Sequence, residues 1–260
     1  MKKRRILGVL MAGVLIFTLS GAVSVQAAVE SAYVGLGPVV FPDYEGSEDY
    51  ALCVAPLANV KWDNHMYINL QATQAWASVI PSATWIGGPV VQFIPKRGSN
   101  VDNSAVSDLD TVDASLMTGG FFGFQVGHWT AMLEAMWDVA SGNKGAIARL
   151  RFDYLVPISE EVSMKFRFFS TYAESDYMDA YFTIDRKDSE KSGLDEFNAD
   201  SGIKDLGGTF FVSYSPWQKW DIVCAGQYTR LFYDAKNSPV TDDVGSANQF
   251  LGGIFAIYNF

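Results

Sequence analysis

Few residues of this 260-residue chain are of types that carry out chemistry, and their spacing limits what that chemistry can be. His65 and His128 are the two histidines, each beside turn-forming residues. An imidazole there could serve as a general base or a metal ligand. Neither has a cysteine or a second histidine at ligand spacing, and no G-x-S-x-G elbow occurs. A membrane hydrolase could still assemble a histidine with Ser or Asp in space, but the plainer expectation is a pair of turn histidines, no metal, no cofactor and no enzyme. Cys53 lies opposite Leu52, Val54 and Pro56, whereas Cys224 shares a face with Trp220, Ile222 and Tyr228. Alternation then turns one thiol inward and the other outward, so two free, buried thiols are expected in place of a disulfide.

The main ionisable constellation is Glu134 and Asp138, then Arg149, Arg151 and Asp153, then Lys165 and Arg167, spread over three consecutive segments. Opposite charges on adjacent strands can pair across a ladder. Such a network could form an ion-selective pathway, or fill and plug a narrow interior; the bulky inward residues favour the plug. Two acidic stretches complete the inventory: Asp102, Asp108, Asp110 and Asp113 in one, and Asp176, Asp179, Asp185, Asp188, Glu190, Asp195, Glu196 and Asp200 in the other. They could bind divalent cations that bridge lipopolysaccharide phosphates, or a basic partner. The spacing lacks the Asp-x-Asp-x-Asp-Gly pattern of a calcium loop, and solvated loop tips are the simpler reading.

The elements that must position these groups follow a period of two. Val162, Met164, Phe166, Phe168 and Tyr172 fall on one face, with Ser163, Lys165, Arg167 and Thr171 on the other. Residues 146–156 alternate likewise around Arg149, Arg151 and Asp153, and 130–138 set Leu133 and Trp137 against Glu134 and Asp138. Looser runs cover 31–41, 48–62, 65–77, 83–97, 113–127, 202–216, 219–233 and 247–260. Many exceed the usual strand of about 5–6 residues and reach the ~9–11 residues that cross a bilayer at a steep tilt. No apolar run after Ala27 is long enough for a spanning helix. A membrane-crossing form of this chain is therefore all-β, a closed antiparallel transmembrane barrel in which every backbone group finds a partner. Outward-facing Arg149, Arg151, Lys165 and Arg167 would each cost about 2–4 kcal/mol near the midplane, so they must face the lumen. Eleven segments are clear, and a bacterial barrel needs an even number. Twelve is the expectation, the twelfth lying in Tyr177 to Arg186; ten follows if one N-terminal strand has been split in two. Trp62, Trp76, Trp85, Trp129, Trp217 and Trp220 lie near strand ends and suit interfacial girdles, though a soluble β-sandwich would use many of them as core.

Lys2, Lys3, Arg4 and Arg5 precede an apolar run from Ile6 to Leu19, and Val25 and Ala27 supply the small residues of a cleavage site. Residues 1–27 read as a signal peptide and 28–260 as the barrel domain. Removing the leader takes four positive charges and no negative one, lowering the formal net charge from −10 to −14. A nucleic-acid partner would want a basic face, and none is present.

Several short motifs appear in a familiar order. Pro42-Asp43-Tyr44-Glu45-Gly46-Ser47-Glu48-Asp49-Tyr50 comes first, then Tyr177-Met178-Asp179-Ala180-Tyr181-Phe182, Ser192-Gly193-Leu194, Gly202-Ile203-Lys204-Asp205, Tyr228-Thr229-Arg230-Leu231, Asn237-Ser238-Pro239-Val240 and the terminal Tyr258-Asn259-Phe260. In this order they resemble the MltA-interacting protein (MipA/OmpV) family over roughly 33–60 and 172–260; Thr183 and Phe232-Tyr233 depart from it where the family often has Gly. The ending, with Tyr258 and Phe260 on one face, is similar to the assembly signal of outer-membrane barrels. The resemblance implies the outer membrane of a Gram-negative bacterium, contact with lipid and lipopolysaccharide, and, for the best-known member, a scaffold joining a lytic transglycosylase to a murein synthase. Other members are linked to adhesion or to antibiotic and osmotic responses. A non-catalytic scaffold is the first expectation, with Asp43, Tyr44, Glu45, Gly46, Ser47, Asn237, Ser238 and Pro239 as partner-contact loops. A small ion- or solute-conducting pore lined by the lumen charges is the second.

Overall fold

The computed structural model describes residues 27–260, so the expected leader, apart from Ala27, lies outside the described residues. Twelve antiparallel strands run in chain order: β1 (Val29–Pro42), β2 (Tyr50–Trp62), β3 (Tyr67–Gln71), β4 (Gln74–Ser78), β5 (Trp85–Ile94), β6 (Ser115–Val126), β7 (Trp129–Asp138), β8 (Ala146–Pro157), β9 (Val162–Ala173), β10 (Gly202–Trp217), β11 (Trp220–Leu231) and β12 (Asn248–Asn259). Each pairs with its sequence neighbours, and β1 closes the barrel against β12, with Tyr33 opposite Asn59 on one side and Asn259 on the other. Closure removes the free edge that lipid would leave unsatisfied.

The twelfth strand is not where the sequence suggests. Tyr177 to Arg186 forms no barrel strand: Tyr177 to Phe182 belong to α2 (Ser175–Phe182), Arg186 opens α3 (Arg186–Ser192), and Ile184 between them makes only an isolated bridge to Phe197. The run 65–77 instead breaks at Ala72-Thr73 into β3 and β4, paired Gln71 to Gln74. Inward positions are odd in β3 (Tyr67, Asn69, Gln71) and even in β4 (Gln74, Trp76, Ser78), as a two-residue hairpin requires. Ala72 takes the positive φ of 51° that such a turn demands, without the Gly or Asn that usually announces one.

The connections divide by length. Residues 63–66, 79–84, 127–128, 158–161 and 218–219 make short links at one rim, where Phe260 N also donates to Ala32 O. The opposite rim carries 43–49, 95–114, 139–145, 174–201 and 232–247, with α1 (Ser104–Ser107), α2, α3, α4 (Tyr233–Asn237) and α5 (Pro239–Asp242). The outward face is apolar between the rims, with Leu36, Leu52, Val54, Leu133, Phe168, Leu206 and Ile254 all exposed. Trp85, Trp129, Trp217 and Trp220 ring the short-turn end, and Tyr50, Trp137, Tyr172 and Phe250 the other, the two girdles a bilayer-spanning barrel carries. Trp62 is half-buried. Trp76 is no part of a girdle: the parity switch after Thr73 turns it into the lumen, 5% exposed.

Candidate functional site: the capped lumen

β7, β8 and β9 place Glu134, Arg149, Arg151, Asp153, Lys165 and Arg167 on one inner wall, those on β8 and on β9 two residues apart. Glu134, 0% exposed, is the hub. It accepts from Trp76 Nε1 at 2.7 Å, Gln74 Nε2 at 3.0 Å and an Arg151 guanidinium nitrogen at 3.3 Å, with Arg149 at 3.6 Å. Asp153 accepts two bonds from Arg167, at 2.9 and 3.0 Å, the bidentate fork that suits a carboxylate, and lies 3.5 Å from Arg151. Two amides extend the network across the lumen: Arg149 donates to Gln74 at 3.2 Å and Arg167 to Gln71 at 3.1 Å. Lys165 stands 4.6 Å from the Phe211 ring centroid.

Asp138 does not join this network. Its carboxylate accepts from the backbone N–H groups of Leu116, Ala140, Asn143 and Lys144 at 2.9 to 3.2 Å and so folds the β7–β8 connection. At the end of its strand it meets unpaired loop donors sooner than it can reach an arginine. Gln71, Gln74 and Trp76 are the network members sequence reasoning missed; the parity switch across Ala72-Thr73 was the available signal.

Above the network, the long connections build a cap. α2 lays Tyr177, Met178, Tyr181 and Phe182 onto the lumen-facing ends of the strands, against Met117, Met136, Ile147 and Leu231. The carbonyls of Ala180 and Tyr181 have no helical partner at this end of α2. Arg97, 7% exposed, donates to both, at 3.2 and 2.7 Å. Burial lowers its pKa from the ordinary arginine value. A β-bulge between Ile203 and Asp205 turns the adjacent Lys204 and Asp205 inward together. Lys204 donates to Asp205 at 2.6 Å and also to Glu45, whose other oxygen accepts from Tyr177 Oη at 3.0 Å. Burial, then the neighbouring Glu45 charge, pushes the Tyr177 phenol well above its usual range.

The two expected partner-contact loops belong to this cap. Tyr44, Gly46, Ser47, Ser238 and Pro239 are buried, Asp43 and Glu45 half-buried, and Asn237 exposed. Ser238 Oγ donates to Phe182 O at 2.6 Å, Gly46 N to Gln249 Oε1 at 3.3 Å, and Gln249 in turn to Ser47 O at 2.9 Å. Ser47 and Ser238 thus spend polar groups inside the fold, whereas Asn237 faces outward. Nor are the acidic stretches free tips throughout. Asp110 accepts from Lys187 and Lys191 at 2.7 to 2.9 Å, which hold its carboxyl down to about 2, and Asp110 N donates to Asp188.

Cys53 is half-buried on the lumen side and Cys224 exposed on the lipid side; both are free. His65 and His128 lie in short turns. Among the described residues, no group of three His, Cys, Asp or Glu is placed to hold a metal. Tyr258 packs edge-on against Trp220 and Phe260, at 5.1 and 5.2 Å between ring centroids.

Twelve closed strands, an apolar belt between aromatic girdles and a polar lumen define an outer-membrane β-barrel. The family model for the MltA-interacting protein MipA matches residues 34–260, and the chain belongs to that family. The outer membrane protein Omp26La of Vibrio anguillarum is similar over 157 residues at 26% identity, covering 60% of this chain and 59% of that protein. The outer membrane protein OmpV of Vibrio cholerae matches with the same identity and coverage. This chain thus aligns with less than two-thirds of either relative. Among solved structures, the NanC porin superposes with a TM-score of 0.45 at 10% identity, covering 88% of this chain and 98% of that one. The protein is an outer-membrane protein of a Gram-negative bacterium.

Proposed function

We propose that the protein is a capped, non-catalytic barrel that acts by interaction, holding murein-processing enzymes at the periplasmic face of the outer membrane. The observation that carries this reading is the asymmetry of the two rims. Short turns and both strand termini share one rim, and outer-membrane barrels turn their short links to the periplasm. The other rim is covered by five helices and a buried core. A lytic transglycosylase, the partner class the family description names, works on the periplasmic side and would meet the short turns 63–66, 127–128 and 158–161. Tyr258 and Phe260, at the end of β12, serve barrel assembly in this reading.

The test is retention of a purified lytic transglycosylase by the protein held in nanodiscs. Retention should persist in Ser238→Ala, which alters only the cap, and fall when a flexible ten-residue insert is placed between Glu160 and Glu161. No retention by the wild type, or loss in the cap variant alone, would overturn the proposal. Stacked lumen cavities of about 330, 470 and 630 Å³ favour a second reading, a gated pore whose cap would have to move.

A further inference from the structure

The barrel wall is not of even height. β2 pairs with β1 along its whole length, from Tyr50 to Trp62, but with β3 only from Leu57 onward. The Ala72 N–H donates to Pro56 O at 2.9 Å, and above that bond β2 from Tyr50 to Ala55 faces a notch, whose far side is the end of β5. Leu52 and Val54, on the outer surface of this stretch, are 57% and 67% exposed and belong to the lipid belt, so the notch lies at membrane depth. Unpaired strand backbone at that depth is stable only where it is buried in protein or lines a water-filled cavity.

The middle lumen cavity, about 470 Å³ and within the ~300–1,000 Å³ of small-molecule sites, reaches the notch at its floor. Ala72 and Thr73 line it, and so do Arg149, Lys165 and Arg167. The opposite wall is apolar, built by Leu57, Val223, Phe255 and Ile257. Charge is unbalanced here. Glu134 and Asp153 are both engaged by arginines, and Lys165 has no carboxylate within 4.0 Å among the described residues. Asp221 also lines the cavity and accepts from Asn259 at 2.9 Å; even with it, four cations face three carboxylates. Two buried atoms on residues that line the same cavity lack a hydrogen bond, Gln92 Oε1 and Arg151 Nε, the latter having only its 3.5 Å ion-pair contact with Asp153. Arg149 and Arg167 reach Gln74 and Gln71, the residues flanking the turn at the notch floor, which sets the cationic wall at the level of the opening.

We propose that the notch is a lateral entrance from the membrane to a lumen site for an anionic amphiphile: the charged head meets Lys165 and Arg149, and the apolar chain lies along the apolar wall and out through the notch. The cap closes the axial route from the long-loop rim, so the lateral route is the direct one from lipid. This site needs no partner protein, so it stands or falls separately from the scaffold reading.

Native mass spectrometry of the folded protein in a non-ionic detergent, with laurate as probe, tests it. One laurate should be retained at sub-micellar concentration, with dodecyltrimethylammonium and acetate retained about tenfold less, because each lacks either the charge or the chain. Lys165→Met should weaken laurate about tenfold, a charge-assisted contact being worth that much, whereas Lys165→Arg and the remote Lys236→Met should bind as wild type does. Thr73→Trp, which fills the notch floor, should also reduce retention. Equal retention of the trimethylammonium probe or of acetate, or wild-type binding in Lys165→Met, would overturn the proposal. Should Lys165→Met fail to fold, judged by its migration before and after boiling, Thr73→Trp and the wild type's choice among the three probes decide.

Discussion

Replacing Glu134 by alanine tests the lumen network at its hub. The wild-type carboxylate is fully buried and answers four donors: Trp76 at 2.7 Å, Gln74 at 3.0 Å, and guanidinium nitrogens of Arg151 and Arg149 at 3.3 and 3.6 Å. Breaking a buried ion pair by removing one partner costs about 3–5 kcal/mol, because the surviving charge is left uncompensated. Two arginines lose their carboxylate here, and each orphaned neutral donor adds about 1–3 kcal/mol. Water entering from the adjoining cavities offsets part of this, so the expected loss for Glu134→Ala is about 3–5 kcal/mol. Glu134→Gln keeps the shape and an acceptor for the Trp76 indole and should lose about 1–3 kcal/mol. Both follow from reversible guanidinium unfolding in vesicles, read by tryptophan fluorescence, with Trp76 as a local reporter. An alanine variant within about 1 kcal/mol of wild type would refute the reasoning: the arginines would then be solvated rather than held by the carboxylate.

Three further outcomes are expected. Arg97→Ala strands two buried carbonyls of α2, so amide exchange across 175–182 should quicken about 10- to 100-fold while that of β7 to β9 stays unchanged; equal exchange in both proteins would show that Arg97 does not pin the cap. The Asp110 clasp carries a carboxyl held at about 2, below its ordinary 3.8, so its contribution is complete above pH 4 and fades as pH falls through 2. Exchange in 186–192, corrected for intrinsic rates, should hold steady from pH 7 to pH 4 and rise below about pH 3; a rise already at pH 5 would contradict the clasp. Finally, Cys224 in intact membranes should react with a lipid-soluble maleimide and not with a charged one, and non-reducing gels should show no disulfide with Cys53. An oxidised monomer would mean that the two thiols share a face.

How much of this was legible in the sequence depends on what each residue had at stake. Arg149, Arg151, Lys165 and Arg167 could be placed in the lumen from alternation alone, since lipid exposure of any one is costly. The β3–β4 hairpin was hidden because Ala72-Thr73 is a turn without turn residues, and only the switch from odd to even inward positions records it. Trp76 was misread for the same reason. The cap was the least legible part. α2 is short and draws its order from tertiary pins, Arg97, Glu45 and Ser238, that lie 83, 132 and 56 residues from their partners. The inward pairing of Lys204 with Asp205 breaks alternation and appears only once the bulge is known. Burial of Tyr44, Ser47, Ser238 and Pro239 in the cap likewise depends on contacts with distant segments.

The central claim, that the lumen is capped and the protein works by contact rather than by conduction, is most directly tested by the electrical behaviour of the folded wild-type protein in a planar bilayer. The account predicts no steady current at moderate voltage. Sustained, ohmic, ion-selective steps from the unmodified barrel, altered in Arg149→Ala or Arg167→Ala, would contradict it.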